Sequence, residues 1–119
     1  MNIEEFREHC ISKKGVTEEL PFGPDILVYK VMGKMFALTP LVSDIFSVSL
    51  KCNPSKAIEL RDEFSYIAGA YHMSKIHWNT VNCILAPTKQ LKELTDHSFD
   101  LVIAGFSKKM KIEFDNLLE

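Results

Sequence analysis

The stretch ILVYKVMGKMFAL, residues 26–38, decides the fold of this chain. Its first half, Ile26 to Val31, is built from β-branched and aromatic residues, a composition that suits the pleated surface of a strand. Met32-Gly33 then turns the chain, and Lys34-Met35-Phe36-Ala37-Leu38 runs back. So tight a connection needs a residue that tolerates positive φ, and Gly33 supplies it. The stretch therefore reads as an antiparallel hairpin with Lys30 and Lys34 flanking its tip.

Working outward, Ile45 to Lys51 alternates cleanly: Phe46, Val48 and Leu50 fall on one face, Ser47, Ser49 and Lys51 on the other. That pattern predicts a strand with one side in the core and one side wet. Asn53-Pro54 is a helix start, an Asn cap followed by Pro at the first helical position. Ala57, Leu60, Phe64 and Ile67 continue at helical spacing, and Gly69 ends the run. Thr80 to Leu85 reads as another strand, and Pro87 breaks it. Leu91, Leu94, Leu101 and Val102 mark C-terminal helix, with a break expected at Asp96-His97 and a restart at Ser98. At the other end, Asn2 caps a helix whose Glu5 completes a capping box and whose Ile3, Phe6 and Cys10 share a face. Lys13, Lys14 and Gly15 stop it. The order helix, strands, helix, strand, helices does not alternate as a parallel α/β protein would. An α+β fold is expected, an antiparallel sheet with helices packed on one face.

A chain of 119 residues fits one domain, residues 1–119, with a core large enough to need no disulfide. Hydrophobic residues at 46% and charged residues at 25% match an ordinary globular protein, which excludes disorder. The acidic start MNIEEFREHC lacks the basic lead and apolar centre of a signal peptide, and no apolar run is long enough to span a bilayer, so a cytoplasmic protein away from membranes is expected. Cys10, Cys52 and Cys83 lack the spacing of a zinc site and are odd in number, so they read as buried reduced thiols. The net charge is −2, but it is unevenly spread, −3 over residues 1–25, +4 over 26–92 and −3 over 93–119. Such asymmetry can give a basic face to a mildly acidic molecule.

The segment YHMSKIHWNT, residues 71–80, concentrates side chains that could do chemistry. His72 and His77 stand five apart, a spacing that suits metal ligation on neither a helix nor a strand. No P-loop, GxGxxG or nucleophile elbow accompanies them, and neither a cofactor, a metal nor a catalytic activity is expected. A nucleic-acid reading has the right residue types. Lys30, Lys34, Lys51 and Lys75 can pair with phosphate, Tyr71 and Trp78 can stack on bases, and Asn79 can bond a base edge. The bland reading stands beside it: a lone Trp ahead of a strand commonly belongs to a core, and Asn79 and Thr80 can simply satisfy backbone groups.

Taken together, CISKKG, TEELPFGPDILVYKVMGKMFAL, SVSLKCNPSKAIELRDEF, AYHMSKIHWNTV and LTDHSFDLV resemble the MmcQ/YjbR family, small bacterial proteins of the YjbR/CyaY-like group, nearly end to end. The resemblance implies a compact α+β domain that binds DNA through a double wing, here a basic hairpin and loop, with no cofactor and no agreed reaction. The DNA-facing residues it suggests are Lys30, Lys34, Lys51, Tyr71, His72, Lys75, His77, Trp78 and Asn79. The chain departs from the family pattern at Ala68-Gly69-Ala70, where relatives commonly place Pro-Gly before the tyrosine, and in its acidic tail. Two competing classes remain. In one, a protein partner docks on the exposed sheet face or edge; in the other, more distant, His72 and His77 line the pocket of a small-molecule enzyme.

Overall fold

The computed structural model describes residues 1–70 and 73–118. Among the described residues six strands form one sheet: β1 (Val16–Glu19), β2 (Ile26–Val31), β3 (Lys34–Pro40), β4 (Ser47–Lys51), β5 (Ile67–Gly69) and β6 (Trp78–Asn82). Their spatial order is β1-β2-β3-β4-β6-β5, and every neighbouring pair is antiparallel. The helices described with them are α1 (Ile3–Ile11), α2 (Pro54–Glu63), α3 (Thr88–Ala104) and α4 (Lys108–Asp115). α3 lies across β2, β3 and β4, α1 packs on β1, and α2 packs on β5 and β6. The fold is α+β with helices on one face, as the element order predicts.

The hairpin forms as expected. Met32 and Gly33 both have positive φ, 51° and 76°, and the strands run on at Val31↔Lys34 and Lys30↔Met35. Beyond that the register shifts, because Tyr29 pairs with Ala37 and leaves Phe36 as an extra residue on β3. A bulge turns two successive side chains to the same side. Phe36 and Ala37 are accordingly both fully buried, and the Phe36 ring meets Phe99 of α3 at 5.3 Å, edge to face. Phe6 of α1 meets Tyr29 at 5.9 Å in the same way. Each such fully buried large side chain contributes on the order of 1.5–3 kcal/mol.

The bulge opens a gap between β3 and β4 that a helix side chain fills. Ser98 Oγ of α3, fully buried, donates to the Phe36 carbonyl at 2.5 Å and accepts from the Lys51 amide at 2.9 Å. A hydroxyl thus replaces the ladder hydrogen bond that the two backbone groups would otherwise share. α3 runs through Asp96-His97 as one continuous helix and does not break there. Both residues lie on its flank, where Asp96 receives His9 Nε2 at 2.7 Å and Lys13 Nζ at 2.5 Å, and His97 Nε2 accepts the Asn53 amide at 3.2 Å.

Three other expectations are corrected. α2 ends at Glu63, because Phe64 is already extended (φ −118°, ψ 117°) and Ile67 opens β5 opposite Val81. Helical spacing continues by coincidence through residues that a neighbouring strand recruits. β6 begins at Trp78 and stops at Asn82, and Ile84 and Leu85 are exposed beyond it. β4 begins at Ser47 and not at Ile45, and Ser49 on its outward side is 7% exposed and not wet. At the sheet edge, Glu18 Oε2 of β1 accepts Arg7 Nε at 2.8 Å and the Tyr29 hydroxyl at 3.0 Å. Among the described residues no helix is long and apolar enough to cross a membrane.

Candidate functional site

The helices cover one face of the sheet and leave the other open. On β4 the side chains of Val48 and Leu50 join the core, so Ser47, Ser49 and Lys51 project from the open face. On β6, Val81 joins the core and Trp78 and Thr80 face out beside them, with Lys51↔Trp78 and Ser49↔Thr80 as cross-strand pairs. The Ser49 and Thr80 hydroxyls are hydrogen-bonded at 2.9 Å.

A groove of about 670 Å³ runs along this face. Ile26, Leu38 and Pro40 of the central hairpin line it, together with Met35 and Trp78 nearer the hairpin tip. Phe22, from the β1–β2 connection, and Met73 and Ser74, from the segment preceding β6, form its rims. Ser47, Ser49 and Thr80 put hydroxyls on an otherwise apolar floor. Sequence reasoning did not single out this groove. Its signal was the wet side of the Ser47/Ser49/Lys51 alternation, but which apolar residues share that face depends on the register of β3 against β4.

The two ends of the sheet differ in charge. At the end where β2 turns into β3 and β4 runs into α2, the segments 32–34, 51–56 and 73–77 carry Lys34, Lys51, Lys56, Lys75 and His77, and no Asp or Glu. At the opposite end, segments 20–25, 41–46 and 83–87 carry Asp25 and Asp44, no Lys or Arg, and the exposed apolar residues Phe22, Val42, Ile84 and Leu85. A backbone hydrogen bond from Leu41 to the Asp25 carbonyl, 2.7 Å, ties two of these latter loops together.

The predicted contact residues divide accordingly. Lys34 is exposed at the hairpin tip, and Lys51 is half-buried beside Trp78. Lys75 and His77 are exposed in the segment leading to β6, where the Lys75 carbonyl accepts Arg61 Nη1 at 2.9 Å. A side chain added at Gly69, which pairs with Asn79 on the helical side, would meet Arg61 Nη1 at 2.8 Å and Lys75 Cγ at 3.1 Å. Lys75 therefore leans toward α2 and away from the groove. Lys30 is corrected: its Nζ lies 3.4 Å from Glu19 Oε1, across the edge pair. The Thr17 hydroxyl, and then Lys30, hold the Glu19 carboxyl below its ordinary value. Asn79 is corrected too. It is 3% exposed and its Nδ2 donates to the Ala57 carbonyl at 3.2 Å, so it joins β6 to α2 and reaches no surface. Tyr71 and His72 lie outside the described residues.

The chemistry of nucleophiles is muted. Burial pushes the Cys83 thiol up to about 12 and raises those of Cys10 and Cys52, the last in spite of nearby Lys56 and Arg61. All three thiols are buried and free. His77 is not among the groove-lining residues. Among the described residues no group of three or more His, Cys, Asp and Glu is placed to hold a metal ion.

Comparison with known proteins puts this arrangement among relatives. The YjbR family model matches residues 11–101. The chain is 32% identical over 94 residues to the uncharacterised protein YbdF of Escherichia coli O157:H7, covering 75% of this chain and 74% of the relative. It is 30% identical over 104 residues to the uncharacterised protein YjbR of Escherichia coli K12, covering 87% and 88%. The crystal structure of Deinococcus radiodurans protein DR2400 superposes with a TM-score of 0.88 at 35% identity, over 99% of this chain and 92% of that one. A crystal structure of a Pseudomonas syringae protein superposes with a TM-score of 0.73 at 28% identity, over 85% and 98%.

Proposed function

This chain belongs to the YjbR family, and from that premise we propose that it is a DNA-binding protein without catalytic activity that grips phosphate with the basic end of its sheet. The observation that carries the reading is the separation of charge between the two ends: the connections at the hairpin-tip end bear lysines and no carboxylate. A molecule of net charge −2 attracts a polyanion only through such a local field. The β2–β3 tip with Lys34 and the segment with Lys75 and His77 are the two wings, and Lys51 stands between them at the end of β4. Lys30 and Asn79 are engaged elsewhere, so the contact list is shorter than the residue types suggest. Binding without catalysis is supported by thiols that are buried and resist deprotonation.

Three engaged lysines imply a modest salt dependence, with a log–log slope of about −3. The test is fluorescence anisotropy with duplex and single-stranded oligonucleotides at low salt. Lys34→Glu combined with Lys75→Glu should weaken binding more than about tenfold and flatten the slope by about 2 or more. If wild-type protein binds neither form at tens of micromolar, or if the double variant binds as well as wild type, the reading is wrong.

The opposite end favours one second reading, docking of a protein partner. Phe22, Val42, Ile84 and Leu85 are each more than 60% exposed in loops joined by backbone hydrogen bonds from Leu41 to Asp25 and from Cys83 to Phe46, and apolar residues so grouped mark interaction surfaces. Such a partner would survive the Lys34/Lys75 charge reversal.

A further inference from the structure

We propose that the open-face groove binds a small amphipathic organic anion, its apolar body lying between Phe22 and Trp78 and its charged head beside Lys51. The inference goes beyond the DNA reading and uses a different observation. The groove, about 670 Å³, falls in the range of small-molecule pockets, and like them it combines an apolar lining with a few convergent polar groups. Ser49 and Thr80 hydroxyls lie on its floor, and Met35 and Met73 give it adaptable walls.

Charge selects the occupant and its direction. Lys51 does not line the groove itself; it is the next residue on the outward side of β4 after Ser49 and pairs across to the groove-lining Trp78, which places it just beyond that end. Among the described residues no ion pair engages its ammonium, whereas Lys30, on the neighbouring hairpin, is held by Glu19. At the other end the loops that carry Phe22 and Leu41 hold Asp25 and Asp44 and no cation. An anion is thus attracted at the Trp78 end and repelled at the Phe22 end, and a neutral apolar molecule gains nothing from either. From the Ser47 row to the Lys51 row the strand rises about 13 Å, the span of a bicyclic aromatic acid or a short acyl chain.

The probe is 8-anilinonaphthalene-1-sulfonate, an apolar body with a single anionic head, compared with the neutral N-phenyl-1-naphthylamine. Trp78 is the sole tryptophan, so energy transfer from it to the bound dye reports on this groove. Native protein should bind the sulfonate with transfer from Trp78. Phe22→Ser, at an exposed loop position that does not threaten folding, should weaken both dyes about tenfold. Lys51→Gln should weaken the sulfonate about fivefold and leave the neutral dye unchanged. Val42→Ser and Ile84→Ser, apolar but outside the groove, should change neither, and Lys34→Glu with Lys75→Glu should leave binding of both dyes unchanged. The proposal is overturned if the sulfonate does not bind, if Lys51→Gln affects both dyes alike, or if the Val42 and Ile84 variants weaken binding as much as Phe22→Ser. None of these results depends on whether DNA binds.

Discussion

Replacing Ser98 by alanine removes one hydroxyl and orphans two backbone groups. In the folded chain Ser98 Oγ donates to the Phe36 carbonyl at 2.5 Å and accepts from the Lys51 amide at 2.9 Å, at a position with no solvent access. Neither group has water to turn to once the hydroxyl is gone. Each buried group left without a partner costs about 1–3 kcal/mol, and since strands β3 and β4 can relax partway toward each other, about 2–4 kcal/mol is expected in total. For 119 residues the unfolding entropy near the midpoint is about 0.25 kcal/mol/K, so the melting temperature should fall by about 8–16 °C. Differential scanning calorimetry measures this directly. Ser107→Ala is the control: it deletes an exposed cap on α4 whose oxygen accepts the Met110 amide at 3.2 Å, and its cost of about 1 kcal/mol should lower the midpoint by about 4 °C. If Ser98→Ala melts within about 3 °C of wild type, the gap between β3 and β4 is closed by something other than this hydroxyl, and the reasoning fails.

Three further outcomes follow from the backbone and from titration. Gly33→Ala should cost about 1–2 kcal/mol, because φ is +76° there and alanine pays the left-handed penalty. An added Cβ would meet nothing within 4 Å, so a chemical-denaturation midpoint at wild-type level would mean that the turn relaxes. His97 tests the join between α3 and α2. Burial, and then Lys56, push its pKa below the ordinary value, and its Nε2 must stay unprotonated to accept the Asn53 amide. A depressed histidine stabilises the fold above the unfolded pKa of about 6.5 and loses that contribution as pH falls toward the folded value. Thermal stability should therefore decline between about pH 7.5 and 5.5, and the decline should be smaller in His97→Gln; equal declines would remove His97 from the account. Asp96 acts lower. Burial opposes its ionisation, but hydrogen bonds from Lys13 and His9 outweigh this and hold its carboxyl below the ordinary value, so its contribution persists above about pH 4 and disappears beneath it.

What was legible in the chain was local. The Met32-Gly33 turn, the core face of Val48 and Leu50 on β4, the Asn2 capping box and the Asn53-Pro54 helix start each depend on neighbours a few residues away, and each formed where its residues require. The same local rules misplaced the end of α2, where Ile67 fits a helical stripe equally well but is drawn into β5 by Val81. They placed a break inside α3, where Ser98 instead joins two strands more than 40 residues away.

The sequence by itself determined the fold class, the hairpin and a middle stretch rich in cations, because side-chain periodicity and turn chemistry act over one or two turns of chain. Only the tertiary structure decided which cations remain available. Lys30 lies against Glu19, whereas Lys34 and Lys75 stay exposed and Lys51 stands beside Trp78 at the end of a groove built from four strands and two connections. Pairing between distant segments sets those distances, and electrostatic and apolar contacts depend on separation in space, which the order of residues along the chain does not contain.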